Sequence, residues 1–214
     1  MSDFWILGEP FTSDANRRLA DWPSDERLEF EKVSCTVNPE GHRGVRNRIT
    51  TPLSALLPDL QPLDFVWTHL SECLVQRHVL DVLTDMQFTG FEAIAAKVRF
   101  ASWREKPPEF WELAVRGSAG LAAAASGYKV LKTCPGCDLT YDTRIEDPTK
   151  VVDGAKWDGS DFFRVAPMTG SIFVTGRVVK TLREIPFKGW KAYSLAEMKE
   201  SFDISVPGHP PPTR

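Results

Sequence analysis

Two cysteines with two residues between them, Cys134-Pro135-Gly136-Cys137, form the motif with the sharpest chemistry in this chain. A tight Pro-Gly turn between them brings two thiolates to one side of a knuckle, which is half of a tetrahedral zinc site. The sequence holds no second Cys-x-x-Cys, and the candidates for the other half are Cys35, His42, Cys73 and His78. Cys35 and His42 flank a Pro/Gly loop, and a site of three cysteines and one histidine is geometrically open to them. Cys73 falls on an apolar stripe and reads as core, and His78 falls beside that stripe as a boundary residue. The other reading of the pair is a reduced, metal-free loop. A thioredoxin-like redox role lacks the βαβ surroundings it needs. The expected cofactor is therefore one zinc ion or none.

A second candidate region runs from Asp138 to Asp161. It carries seven carboxylates against three cations, an excess larger than the net charge of −3 of the whole chain. One reading is a solvated loop; the other is an acidic face that steers a basic partner. Trp157-Asp158-Gly159-Ser160-Asp161-Phe162-Phe163 sets three aromatics beside those carboxylates; exposed, aromatics rimmed by charge anchor interfaces, and buried, they are core. Asp153, Trp157, Asp158 and Asp161 are the expected partner contacts. The aspartate spacing does not match a calcium loop. No GxSxG elbow, Walker A loop, GxGxxG fingerprint or HExxH occurs, and His42, His69, His78 and His209 have no context that names a general base. The expectation is a protein that is not an enzyme. Arg43, Arg46 and Arg48 form a small basic patch, a weak nucleic-acid signal on a chain of pI about 5.9.

These residues need a frame to hold them. With 214 residues, 42% apolar and 26% charged, the chain has the composition of a globular domain rather than a disordered or fibrous one. The first residues carry Asp3 and Glu9 without a basic segment or a long apolar run, so no signal peptide is expected. No run approaches the ~20 apolar residues of a membrane helix. A cytoplasmic protein with reduced thiols and no membrane contact is expected. Phe4 to Leu7 reads as a strand, 38–48 as a loop, and Leu53 to Leu57 as a helical turn between prolines. Leu70, Cys73, Leu74, Val79, Leu80 and Leu83 recur at helical spacing, which predicts a helix from Thr68, as N-cap, to Asp85. Phe91 to Phe100 and Phe110 to Val115 suit strands, 116–127 a connector whose alanines could form a helical turn, and 207–214 an extended Pro-rich tail after a single domain over 1–206.

The chain also repeats itself. Residues 75–93 align without a gap onto 174–192, an offset of 99. Val75/Val174, Val79/Val178, Leu83/Leu182, Phe88/Phe187, Gly90/Gly189 and Ala93/Ala192 are identical. The pattern reads as a helix, a glycine turn and a strand-opening aromatic. Two copies are too few for a solenoid. They predict an α+β domain of two related helix–turn–strand units, with the Cys-x-x-Cys knuckle between them.

Three stretches together resemble a known family. KPPEFWEL (106–113), the CPGC knuckle, and the segment from WDGSDFFR to FKGWKAYSL (157–195) are similar, in order and spacing, to the double-CXXCG motif proteins of myxobacteria. The resemblance covers roughly residues 65 to 198. It implies an immunity protein that binds and neutralises a contact-delivered protein toxin, a partner encoded by a neighbouring gene. It also carries over Cys35, Cys134 and Cys137 as metal-ligand candidates. The chain departs from the pattern at Asp138, where the family has glycine, and at Cys35-Thr36-Val37-Asn38, where the first CXXCG is expected. The alternative function is a zinc-ribbon regulatory or nucleic-acid-binding module presenting the basic 43–48 loop.

Overall fold

The computed structural model describes residues 3–10, 20–21, 23, 29–42, 44–48, 52–58, 63–69, 71–101 and 107–198, with main chain alone for 44–48. The tail at 207–214, Arg43 and His209 lie outside these residues. In chain order the strands are β1 (Phe4–Gly8), β2 (Phe30–Val33), β3 (Gly44–Arg48), β4 (Ser54–Leu57), β5 (Phe65–Trp67), β6 (Cys73–Gln76), β7 (Phe91–Ala95), β8 (Lys97–Phe100), β9 (Phe110–Val115), β10 (Gly117–Leu121), β11 (Val130–Thr133), β12 (Thr140–Asp142), β13 (Phe162–Ala166), β14 (Ile172–Thr175) and β15 (Lys191–Ser194). Two nine-residue helices, α1 (Arg77–Asp85) and α2 (Gly176–Glu184), accompany them.

The expected α+β domain of helix–turn–strand units is therefore wrong: the chain is mostly β-sheet. The error has a physical source at Cys73, Leu74 and Val75, which belong to β6 and are fully buried. A strand covered on both faces carries consecutive apolar residues, so its period of two is hidden and the spacing mimics a helix. Thr68 is not an N-cap. It closes the β5–β6 hairpin, donating its N–H to the Glu72 carbonyl and accepting the Ser71 N–H, both at 3.0 Å. Ser71 takes a positive φ of 65° in that turn. Leu53 to Leu57 likewise gives strand β4 instead of a helical turn, the loop at 38–48 ends in β3, and the Gly/Ala connector contains β10.

Two sheets organise the molecule, in the orders β5-β6-β9-β7 and β10-β13-β14-β1-β15. Their correspondence is close. The β5–β6 hairpin, α1 and β7 match the β13–β14 hairpin, α2 and β15. The strand between the hairpin and the last strand is β9 in one sheet and β1 in the other. Both read Phe-Trp-x-Leu, at 110–113 and at 4–7. The registers agree as well: Trp111 faces Val75 where Trp5 faces Val174, and Leu113 faces Ala93 where Leu7 faces Ala192. Each repeat thus opens with a Phe-Trp-x-Leu strand that completes the other repeat's sheet.

The glycine turns lock this exchange. Gly90 and Gly189 have φ of 88° and 90°. The Phe162 N–H donates to the Thr89 carbonyl and the Phe65 N–H to the Lys188 carbonyl, both at 3.0 Å. A Cβ on Gly90 would collide with the Phe162 carbonyl oxygen, and one on Gly189 with that of Phe65. One apolar core spans the joint, with Phe65, Val79 and Leu83 packed in the same cluster as Phe162, Val178 and Leu182. Burial of each such side chain is worth roughly 1.5–3 kcal/mol.

Candidate metal centre

Two hairpins meet outside the sheets. The β11–β12 hairpin turns through Cys134-Pro135-Gly136-Cys137, and the β2–β3 hairpin turns through the loop carrying Cys35 and His42. Each turn supplies two ligand atoms. Cys35 Sγ lies 3.6 Å from Cys134 Sγ and 3.4 Å from His42 Nδ1, and Cys137 Sγ lies 3.6 Å from His42 Nδ1. All four atoms fall within 4.8 Å of one another. Zn–S bonds of about 2.3 Å and a Zn–N bond of about 2.0 Å, at tetrahedral angles, put sulfurs roughly 3.8 Å apart and sulfur and nitrogen roughly 3.5 Å apart. The donor set is compatible with a zinc site in identity and in spacing.

Local backbone chemistry holds the four in place. The Asn38 N–H donates to Cys35 Sγ at 3.2 Å, and the Asn38 side-chain oxygen accepts the Gly41 N–H at 2.9 Å. The His42 N–H returns to the Asn38 carbonyl at 3.0 Å. On the other turn the Asp138 N–H donates to the Cys134 carbonyl at 2.9 Å, and Asp138 itself takes φ of 56°. That left-handed conformation is one that glycine adopts most readily. Gly136 lets the turns touch, since a Cβ there would lie 2.9 Å from Thr36 Oγ1. His42 Nε2 and the Tyr141 hydroxyl are 2.7 Å apart. With Nε2 engaged, Nδ1 is left to face the sulfurs, the usual support of a ligating histidine.

The thiols are not equivalent. Burial pushes the Cys35 thiol up, but the Asn38 and Val37 amides, His42 and Cys134 outweigh it and bring its pKa down to about 6. The Leu139 amide pulls Cys137 down, yet burial and the neighbouring Cys35 and Cys134 prevail and its pKa is raised. A cluster that already favours one thiolate is a better metal ligand than three neutral thiols.

The three cysteines carried over by resemblance are thus brought together, and His42 joins them as a fourth candidate ligand. Cys73 is buried in β6, where burial pushes its thiol up. His78 Nε2 is 2.8 Å from Asp64 with its side chain about half exposed.

The expected partner contacts are largely taken up by the fold. Trp157 packs edge-on to Phe4 at 5.1 Å between ring centroids and donates its indole N–H to the Ser160 carbonyl at 3.0 Å. Asp161 is 7% exposed and pairs with Arg177 at 2.7 Å. Burial would raise the Asp161 pKa, but the Arg177 guanidinium, the Thr89 amide and the Thr175 hydroxyl hold it below the usual carboxylate value. Asp158 accepts the Ser118 and Ser160 N–H groups at 2.8 and 3.0 Å. Asp153 accepts the Ala155 N–H and pairs with Lys156 at 3.2 Å. Asp153 and Asp158 thus fix their own loops through Ala155 and Ser160, while Asp161 reaches across to Thr89, and Asp158 stays exposed. Among the described residues, no helix is long and apolar enough to cross a membrane.

Searches of protein-family models and of curated proteins return no match. The family resemblance therefore rests on its motifs. The Tyr141 support and the exchanged strands were not anticipated, although the sequence carries a signal for both. Cys35 and Cys134, and His42 and Tyr141, are each 99 residues apart, the offset of the helical repeat, and Phe-Trp-x-Leu occurs once in each repeat.

Proposed function

We propose that this chain is an immunity-type binding protein that neutralises one protein toxin by stoichiometric occlusion. In this reading it uses no catalytic residue and holds one structural zinc ion on Cys35, His42, Cys134 and Cys137. The observation that carries the reading is the closed ligand set. Three buried thiols and an imidazole would fill the four positions of a tetrahedral ion and leave none for water or substrate, the pattern of a structural zinc. Such an ion would supply folding free energy by tying the turn at 35–42 to the turn at 134–137. The resemblance to double-CXXCG proteins supports a toxin as partner and the product of a neighbouring gene as the first candidate. The cytoplasm, where thiols stay reduced, suits the ligand set.

The experiment joins two measurements. Cells expressing the neighbouring toxin gene should survive with this protein and die without it, and purified protein should carry one zinc per chain. A folded, abundant copy that gives no protection and forms no complex sinks the immunity reading. The zinc-ribbon alternative draws its support from the two facing hairpin turns. It requires nucleic-acid binding that weakens steeply with salt.

A further inference from the structure

Seven large apolar side chains stand exposed among the described residues, and five of them surround the metal-bearing turns: Val37, Val130, Leu131, Leu139 and Tyr141, from 39% to 67% exposed. Every residue of β11 and β12 is exposed, so neither face of this ribbon is covered. A two-stranded ribbon without a buried face is marginal on its own. Here its turn carries two of the four ligands, which anchors the ribbon while its sides stay open. β11 pairs with β12 on one side, and among the described residues no strand lies on its other side. The pairing with β12 shifts register between Val130 and Lys132, and the open edge there, flanked by Val130 and Leu131, is a short template for another strand. Lys129 and Lys132 bracket these two residues, both exposed. On the inner strand, the Asp142 carboxylate accepts the Tyr128 hydroxyl at 3.0 Å.

We propose that the outer edge of β11 docks an extended, apolar and acidic strand of the partner protein by strand addition. The partner's main chain pairs with the open edge, its apolar side chains cover Val130 and Leu131, and its carboxylates face Lys129 and Lys132. The metal-clipped turn holds the ribbon in shape beforehand, which lowers the ordering cost of binding. A second copy of this chain is the poorer occupant, because β11 paired with its own copy sets lysine against lysine. The inference rests on the toxin-binding reading and names the surface that performs it.

The test uses the zinc-loaded full chain and the purified product of the neighbouring toxin gene. Amide hydrogen exchange should slow across Val130–Thr133 in the complex. Leu131→Asp should weaken binding at least about 30-fold, with zinc content and unfolding midpoint unchanged. Lys129→Glu with Lys132→Glu should weaken it roughly 10-fold at low salt and less at high salt. Met86→Asp, at an exposed apolar residue away from the ribbon, should change nothing. A complex that forms with unchanged exchange at β11 and no loss from Leu131→Asp overturns this inference and leaves the immunity reading standing. Self-association of a Lys129→Ala, Lys132→Ala variant with intact toxin binding also overturns it, since the lysines then merely guard the edge. No complex with the toxin overturns both.

Discussion

In the sheet that contains β14, Asp161 accepts hydrogen bonds from Arg177 at 2.7 Å and from the Thr89 amide at 3.1 Å. In the sheet that contains β6, Asp64 meets His78 at 2.8 Å and accepts the Lys188 amide at 2.6 Å. Arg177 lies over the Phe88 ring at 4.5 Å, and His78 lies against the Phe187 ring at 5.6 Å. Each aspartate binds the turn of the other repeat, and each basic side chain covers that turn's phenylalanine. The carboxylate is the same in both copies because it must satisfy a backbone N–H beside a glycine turn. The basic partner differs because any planar cationic or polar group can span the carboxylate and the ring. The metal turns differ in a related way. One supplies Cys134 and Cys137 from a four-residue knuckle; the other supplies Cys35 and, where Asn38 replaces the second thiol, His42 from a longer turn. The repeats thus keep geometry and exchange chemistry.

The largest break in this comparison should come from removing the zinc ion proposed to join the two turns. With free zinc at a thousandfold over the dissociation constant, binding to the folded state alone adds about 4 kcal/mol. A strong chelator should lower the denaturant midpoint of the purified protein accordingly, and Cys134→Ser should do the same. In that variant the chelator should then have no further effect. Equal midpoints with and without chelator would mean the cluster is a metal-free packing of thiols.

Next come the glycine turns, where the copies should behave alike. Gly90→Ala and Gly189→Ala each force a side chain into the left-handed region and into a carbonyl oxygen of the other repeat, at a cost of roughly 3 kcal/mol each. Thermal or denaturant unfolding of the two variants measures both. A loss confined to one of them would break the equivalence of the turns.

The latches should differ. The Asp161 side chain is 10% exposed and that of Asp64 is 22% exposed. Asp161→Asn should therefore cost about 2 kcal/mol and Asp64→Asn less than about 1 kcal/mol. A depressed pKa gives Asp161 a pH signature. Its contribution is full above the unfolded carboxylate value of about 3.9 and is lost as pH falls through the lower folded value. Asp161→Asn should flatten the acid limb of the stability profile below about pH 4. An unchanged limb would assign that limb to other carboxylates.

The sequence makes the repeat legible because identical spacing survives in any fold, whereas the exchange of β1 and β9 is decided by which sheet each strand enters. Nothing within Phe-Trp-x-Leu says which. Cys73 to Gln76 misled because complete burial erases the alternation that marks a strand. At the metal centre, Cys134 and Cys137 announce themselves by spacing, while His42 stands seven residues from Cys35, a spacing with no motif of its own. Asp161 and Trp157 look like surface residues because an aspartate beside an aromatic carries no mark of burial. Their partners are the Thr89 amide, 72 residues away, and the Phe4 ring, at the other end of the chain.

The smallest expected effect tests the link between His42, the candidate ligand from one repeat, and Tyr141, which faces it from the other. Removing a hydrogen bond behind a metal ligand costs roughly 10-fold in metal affinity. Tyr141→Phe keeps the ring, which is 46% exposed, so unfolding stability at saturating zinc should stay near that of the parent. Zinc affinity, measured by competition with a chromophoric chelator, should fall about tenfold, because His42 loses the group that fixes its tautomer and ring orientation. Tyr141→Ala should lose no more affinity than Tyr141→Phe if the hydroxyl is what matters. A tenfold loss in Tyr141→Ala with none in Tyr141→Phe would show that the ring's packing positions His42 and that the 2.7 Å contact is incidental.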